Sequence, residues 1–347
     1  MKKFINTILM SLFAIIALLS CDTVHVFPDE NAVDPTLVNV LTTVSVTVSE
    51  MSTDDYPITI DSDKSLRLIV EAFKYDDAET VIERKELVLP EGSSLDDTFS
   101  VEMDLSATRY TLVAWLTYTD ANHNYDDVYY ESSNGLRNIS LITPAEGNTD
   151  HKDCYYGNTE VNLLSYAGQW NVDIEIPIVV ERPIAKYYLV ANDVSQFLTK
   201  SASTKSVSYS DIEKYTAEIL YEGFIPNGLN AYTGELNDAT TGLSYTSSLV
   251  VINDEKVAVA MDYALSKNLS NKSDDDGTTL SVTVKIYDDQ GELVNEQGEV
   301  QIFTQRGQLT IVESDFFTRS VASGVIVDQN FDGSYDIYLD DDGNVIE

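Results

Sequence analysis

Apolar and polar residues alternate with a period of two through much of this chain, the pattern of strands with one face buried and one in water. Val40, Val44, Val46 and Val48 mark one such strand, and Leu66, Leu68, Val70 and Ala72 another. Residues 81–89, 111–119 and 172–180 continue the series. Turn-forming groups bound these runs: Asp54-Asp55, Asp76-Asp77, Pro90-Glu91-Gly92 and Ser133-Asn134-Gly135. Many short alternating strands between such turns predict an antiparallel β-sandwich.

A second series begins after Glu181-Arg182-Pro183. Residues 186–191 read as a strand, and Asn192-Asp193 then forms a helix-capping pair, predicting a short helix through Leu198. Strands are expected near 215–223, 247–252, 257–263, 280–287, 300–303, 309–312 and 335–339, with a solvated loop over 201–208. Arg182-Pro183 marks a joint between two strand-rich halves of similar length. The expectation is an all-β chain of two tandem antiparallel β-sandwich domains, residues 36–181 and 182–347, with one short helix in the second.

The N-terminus breaks the pattern. Lys2 and Lys3 precede an apolar run from Ile8 to Leu19, which ends in Leu18-Leu19-Ser20-Cys21. A basic start, a short apolar core and small residues before the cut describe a secretory signal, too short for a membrane span. Cysteine directly after Leu-Ser matches a bacterial lipobox, so residues 1–20 are expected to be removed and Cys21 to carry lipid. Two or three acyl chains on one cysteine suffice for stable membrane attachment. Residues 21–35, polar and acidic with Pro28 and Pro35, read as a tether.

Charge narrows the partners. The 347-residue chain has a formal net charge of −37, and removal of residues 1–20 takes away two lysines and no acid. Such a body repels nucleic acid and anionic lipid, so membrane association falls to the lipid on Cys21. With 43% hydrophobic residues the chain has enough apolar material for sizeable cores. Of its 2 cysteines only Cys154 remains after lipidation, which leaves no disulfide. Cys154 reads as a small buried filler, His151 being the one basic neighbour that could activate it.

Candidate chemistry is sparse. In residues 328–336, Asp328, Asn330, Asp332 and Asp336 fall at alternating positions of a calcium loop, with Gly333 at the turn. The closing carboxylate is misplaced, since Leu339 stands where it should be and Asp340 comes one residue late. A β-turn accounts for the segment better, as it does for the acidic turns at 274–277 and 340–343. The 3 histidines, His25, His123 and His151, have no zinc-binding spacing, and there is no nucleophile elbow or phosphate loop. No cofactor is expected, and no pair of carboxylates stands out as a glycosidase pair. Trp115 and Trp170 read as core, while Tyr125, Tyr129 and Tyr130 suit either a contact surface or a strand.

Several segments, in order, carry a resemblance. They are Arg109-Tyr110-Thr111-Leu112-Val113-Ala114-Trp115, Tyr129-Tyr130, Leu136-Arg137-Asn138-Ile139 and Asp153-Cys154-Tyr155 in the first half. Arg182-Pro183-Ile184-Ala185-Lys186-Tyr187, residues 193–199, residues 286–291, residues 305–312 and Phe331-Asp332-Gly333-Ser334-Tyr335 follow in the second. Together they resemble the fimbrillin-like lipoproteins of Bacteroidales that carry a DUF6562-type domain. The resemblance implies paired transthyretin-like sandwiches on an outer-membrane lipid anchor, related to fimbrial anchor and minor subunits. In that group an extended segment of one subunit completes the sheet of the next, a reaction that any open sheet edge permits. Residues 335–339 could be such a donor, although an ordinary last strand describes them better. The function expected is adhesion or fimbria assembly without catalysis, with fimbrial subunits or a host or bacterial surface ligand as partners. The alternatives are a glycan-binding lipoprotein of a polysaccharide-uptake system and, behind it, a hydrolase.

Overall fold

A computed structural model describes residues 39–49, 64–90, 93–123, 125–167, 169, 171–201, 207–267, 278–319, 326–328, 338–339 and 345–346. The first half contributes β1 (Asn39–Val48), β2 (Lys64–Lys74), β3 (Asp77–Val88), β4 (Phe99–Ser106) and β5 (Arg109–Asp120). It continues with β6 (Asp126–Asp127), β7 (Tyr130–Glu131), β8 (Ile139–Leu141), β9 (Cys154–Asn162) and β10 (Asp173–Val180). The second opens with β11 (Ile184–Ala191), the helices α1 (Val194–Ser201) and α2 (Tyr209–Ile212), and β12 (Thr216–Glu222). Then come β13 (Ile225–Asn230), β14 (Glu235–Thr240), β15 (Ser244–Ser248), β16 (Val250–Val251) and β17 (Val257–Leu265). The long strands β18 (Thr278–Tyr287), β19 (Leu293–Thr304) and β20 (Leu309–Ser314) precede the short β21 (Ile326–Asp328), β22 (Tyr338–Leu339) and β23 (Val345–Ile346).

These strands form two β-sandwiches. Sheet A (order β10-β1-β4) packs on sheet B (β3-β2-β5-β6, with β9 also on β5). Sheet D (β16-β17-β11-β20-β21) packs on sheet E (β15-β12-β18-β19). The fold is all-β, as the alternation predicts. Most pairs are antiparallel, but β1 runs parallel to β10 and β11 parallel to β20. Those crossovers are long-range pairings that no local pattern encodes.

A third core joins the sandwiches. Along β2, Leu68, Val70 and Ala72 face sheet A, whereas Ile69 and Phe73 face the other way. On β5, Leu112, Ala114 and Leu116 face sheet A, while Val113 and Trp115 turn from it. Tyr188 and Val190 of β11, Met261 and Tyr263 of β17, and Ile311 of β20 meet them from sheet D. A small sheet C (β14-β13-β8-β7) closes this space with Ile139 and Leu229, and it pairs strands from the two halves. Strands buried on both faces carry near-continuous apolar runs, which is how β11 and β17 are written: every residue of each is buried.

The helical region differs slightly from expectation. α1 begins at Val194 as the Asn192-Asp193 pair predicts, yet the Asp193 carboxylate accepts the backbone N–H of Phe317, at 3.1 Å. A second, one-turn helix, α2, follows, opened by a capping box between Ser208 and Asp211. Near the C-terminus, β22 pairs with β23 in a two-stranded sheet, so the part of 335–339 that is described does not join sheet D or E.

Candidate functional site

The densest polar chemistry lies where the sandwiches meet. Residues 142–153 leave sheet C and reach across to the second sandwich: Ala145 enters its core, and Gly147 packs so closely on Tyr245 that a Cβ there would lie 2.3 Å from the ring. The Asn148 N–H donates to the Met261 carbonyl at 2.6 Å. A 3-10 turn over Asp150–Lys152, capped by Thr149, then presents charges in succession.

Each finds an opposite charge. Asp150 takes Lys186 at 2.9 Å and accepts the Tyr263 hydroxyl at 2.8 Å. Lys152 reaches Asp262 at 2.6 Å, both side chains being almost wholly buried. Asp153 receives Arg182 through Nε and Nη2, at 2.8 and 2.7 Å, and the Tyr155 hydroxyl at 2.5 Å. Arg182 also lies over the Tyr155 ring. Burial pushes the Tyr118 phenol up to about 12, with Asp153 and Asp150 adding to the shift, and raises Tyr263 in the same way. Arg306 completes the joint, donating to the Tyr156 hydroxyl at 2.7 Å and the Gly234 carbonyl at 2.9 Å while lying over the Tyr156 ring. A buried ion pair adds little net stability, but losing one partner strands the other charge in a dry environment. The network therefore fixes the orientation of the two sandwiches more than it strengthens them.

The outer surface tells a second story. The long edge strands carry features that discourage indiscriminate pairing. β3 bears Glu79, Glu83, Arg84, Lys85 and Glu86 along its length. In β10 the even-numbered residues bond to β1, and Pro177 removes a donor from the opposite side, which is bridged to β9 just past the strand through Glu181 and Tyr156. β19 is interrupted at Gly298-Glu299, Glu299 adopting φ 56°, where its register with β18 shifts. The outward face of sheet A is acidic, with Asp173 and Glu175 on β10 and Glu102 and Asp104 on β4 flanking Leu41 and Thr43 of β1.

The predicted site residues fall as follows. Cys21 lies outside the described residues, as do Asn330, Asp332 and Asp336 of the calcium-loop segment and Trp170. Asp328 ends β21. Among the described residues no group of three or more His, Cys, Asp or Glu could hold a metal ion, and no helix is long and apolar enough to cross a membrane. Cys154 is fully buried, and burial pushes its thiol well up. Trp115 is core, as read from the sequence. Tyr129 and Tyr130 are core as well, which removes them from a contact surface; Tyr125 remains 42% exposed. The most exposed large apolar side chain described is Phe224, at 80%, in the β12–β13 turn. Sequence reasoning missed the charges of the joint, although Lys186 and Asp262, each embedded in an apolar run, signalled buried ion pairing.

Comparison with known proteins gives a family and a set of distant structures. The model of a family of unknown function, DUF6562, matches residues 32–347. No curated protein matches the chain. The fimbrial anchor protein Mfa2 from Porphyromonas gingivalis is similar at 13% identity and TM-score 0.40, over 85% of this chain and 100% of that one. A candidate polysaccharide-binding protein (DUF1812) from Bacteroides thetaiotaomicron is similar at 12% identity and TM-score 0.44, over 88% and 100%. A candidate cell-adhesion protein from Bacteroides uniformis is similar at 12% identity and TM-score 0.40, over 84% and 95%.

Proposed function

The chain belongs to the DUF6562 family, and from that premise we propose that it is a cell-surface lipoprotein acting in adhesion or fimbria assembly, by surface contact and β-strand pairing and without catalysis. The observation that carries this reading is the order of parts along the chain. A lipobox ending at Cys21 is followed by a short tether, and the family match begins within that tether and runs to the C-terminus. Lipid on Cys21 would hold the body at the outer membrane, facing outward. The two domains, 36–181 and 182–347, would then be presented as one unit, because a shared core and paired charges join them.

The surface suits that role. Edges marked by charge, proline and a bulge keep a crowded population from pairing at random. Strand exchange, where it occurs, would have to be directed by a partner. Fimbrial subunits are the partner class the sequence resemblance favours, ahead of a host or bacterial surface ligand.

The test is mild shearing of surface structures from the native cell, with mass spectrometry of the sheared and membrane fractions and crosslinking of each. Recovery with a fimbrial polymer or at its membrane-bound base, crosslinked to a neighbouring subunit, supports assembly. An isolated membrane protein without crosslinked neighbours removes that version, and retardation on glycan affinity gels would then favour the glycan-binding alternative.

A further inference from the structure

One ion pair of the joint has surroundings that the others lack. Lys152 and Asp262 are 2% and 1% exposed, 110 residues apart in sequence, and Nζ stands 2.6 Å from Oδ1. Lys152 comes from the 3-10 turn that reaches across the joint, and Asp262 from the middle of β17. The other carboxylate oxygen, Oδ2, accepts the Tyr221 hydroxyl at 2.6 Å. That hydroxyl lies 2.6 Å from Tyr187, whose own oxygen is 3.1 Å from Tyr245. Burial, helped by the charge of Asp262, raises the Tyr221 phenol well above its ordinary range, so it stays protonated. Beside the pair, bounded also by Tyr130, Tyr221 and Tyr263, is a cavity with about 10 Å³ of room, close to what one water needs.

We propose that Lys152 and Asp262 condense to an intramolecular amide, a covalent cross-link between residues 142–153 and the second sandwich. The amine nitrogen attacks Cγ of Asp262 and the bond from Cγ to Oδ1 breaks. The ammonium of Lys152 gives up two protons, which leave on Oδ1 as one water molecule; nothing is oxidised or reduced and no co-reactant is consumed. The Tyr221 hydroxyl stays on Oδ2, where it stabilises the negative charge that develops during addition. The fold supplies the remaining requirements. It holds the two groups in contact, which replaces an encounter with an intramolecular step. It surrounds them with aromatic rings in place of water, and it leaves a water-sized space for the departing molecule. The product also replaces two buried charges, costly to desolvate, with one neutral amide. A surface protein loaded by traction would gain a joint that cannot be pulled open there.

The experiment is tryptic digestion of the denatured full-length protein, purified from its native membrane, with mass spectrometry of the peptides. The cross-link blocks cleavage after Lys152 and leaves peptide 257–267 attached through Asp262, the pair lighter than its separate parts by one water. Lys152→Arg keeps the positive charge but cannot form this bond, and it should release peptide 257–267 as a free species. Wild-type protein that is cleaved after Lys152 and yields free 257–267 in full amount overturns the proposal. So does a cross-linked 257–267 that survives in Lys152→Arg, since the amine would then belong to another residue.

Discussion

Replacing Trp115 with alanine asks whether the two sandwiches share one stability. Trp115 is fully buried in the core between sheets B and D, edge-on to Tyr130 at a centroid distance of 5.7 Å. Among the described residues its indole N–H has no hydrogen-bond partner, so truncation removes packing alone. Large-to-small changes of an aromatic ring in a closed core cost about 3–5 kcal/mol, of which an edge-to-face pair supplies roughly 1. Against a total stability of about 5–15 kcal/mol, that is a large fraction. Urea unfolding followed by far-ultraviolet circular dichroism gives the loss, and hydrogen exchange read by mass spectrometry gives its distribution. If the third core couples the sandwiches, protection falls in β11, β17 and β20 of the second as well as in β2, β5 and β9 of the first. A loss confined to the first sandwich, with β11 and β17 unchanged, would refute the coupling.

The remaining predictions concern single side chains. Arg182→Ala leaves the Asp153 carboxylate buried and unpaired and should cost about 3–5 kcal/mol in urea unfolding, whereas a loss under about 1 kcal/mol would mean that water reaches the site. Cys154 should resist alkylation in the native protein at neutral pH and react fully in denaturant, because burial raises its thiol; rapid native labelling would contradict this. Burial raises the Asp193 carboxyl above its ordinary 3.8, so between that value and the raised one the folded state keeps a proton that the unfolded state has lost. Wild-type stability therefore falls relative to Asp193→Asn as pH rises through that window and keeps a constant difference above it; a wild-type urea midpoint that rises relative to the variant's across the window would show the sign to be wrong.

Much of the fold was legible because half-buried strands write their burial into the sequence. The alternation at Val40–Val48 became β1, and that at Leu66–Ala72 became one face of β2. β4 alternates just as regularly, buried and exposed in turn, and was there to be read. β13 and β14 were not, since Ile-Pro-Asn-Gly-Leu-Asn and Glu-Leu-Asn-Asp-Ala-Thr carry turn formers; their pairing with each other and with β8 overrides local preference. The third core had a signal of another kind. β5 and β17 are apolar beyond what one buried face needs, and a reading tuned to alternation takes such strands as half-buried. The joint was only half legible: Lys186 and Asp262 stand in apolar runs, but Asp150, Lys152 and Asp153 look like an ordinary solvated turn until the fold brings Lys186, Asp262 and Arg182 to them.

The proposed function rests on an anchored, outward-facing body, and antibody labelling of intact native cells tests that most directly when wild type is compared with Cys21→Ser. Strong surface labelling of the wild type is expected, and its loss in the variant, whose chain carries no lipid. Wild-type protein that is labelled only after the cells are opened, or a Cys21→Ser chain that stays on the surface at wild-type level, would contradict it.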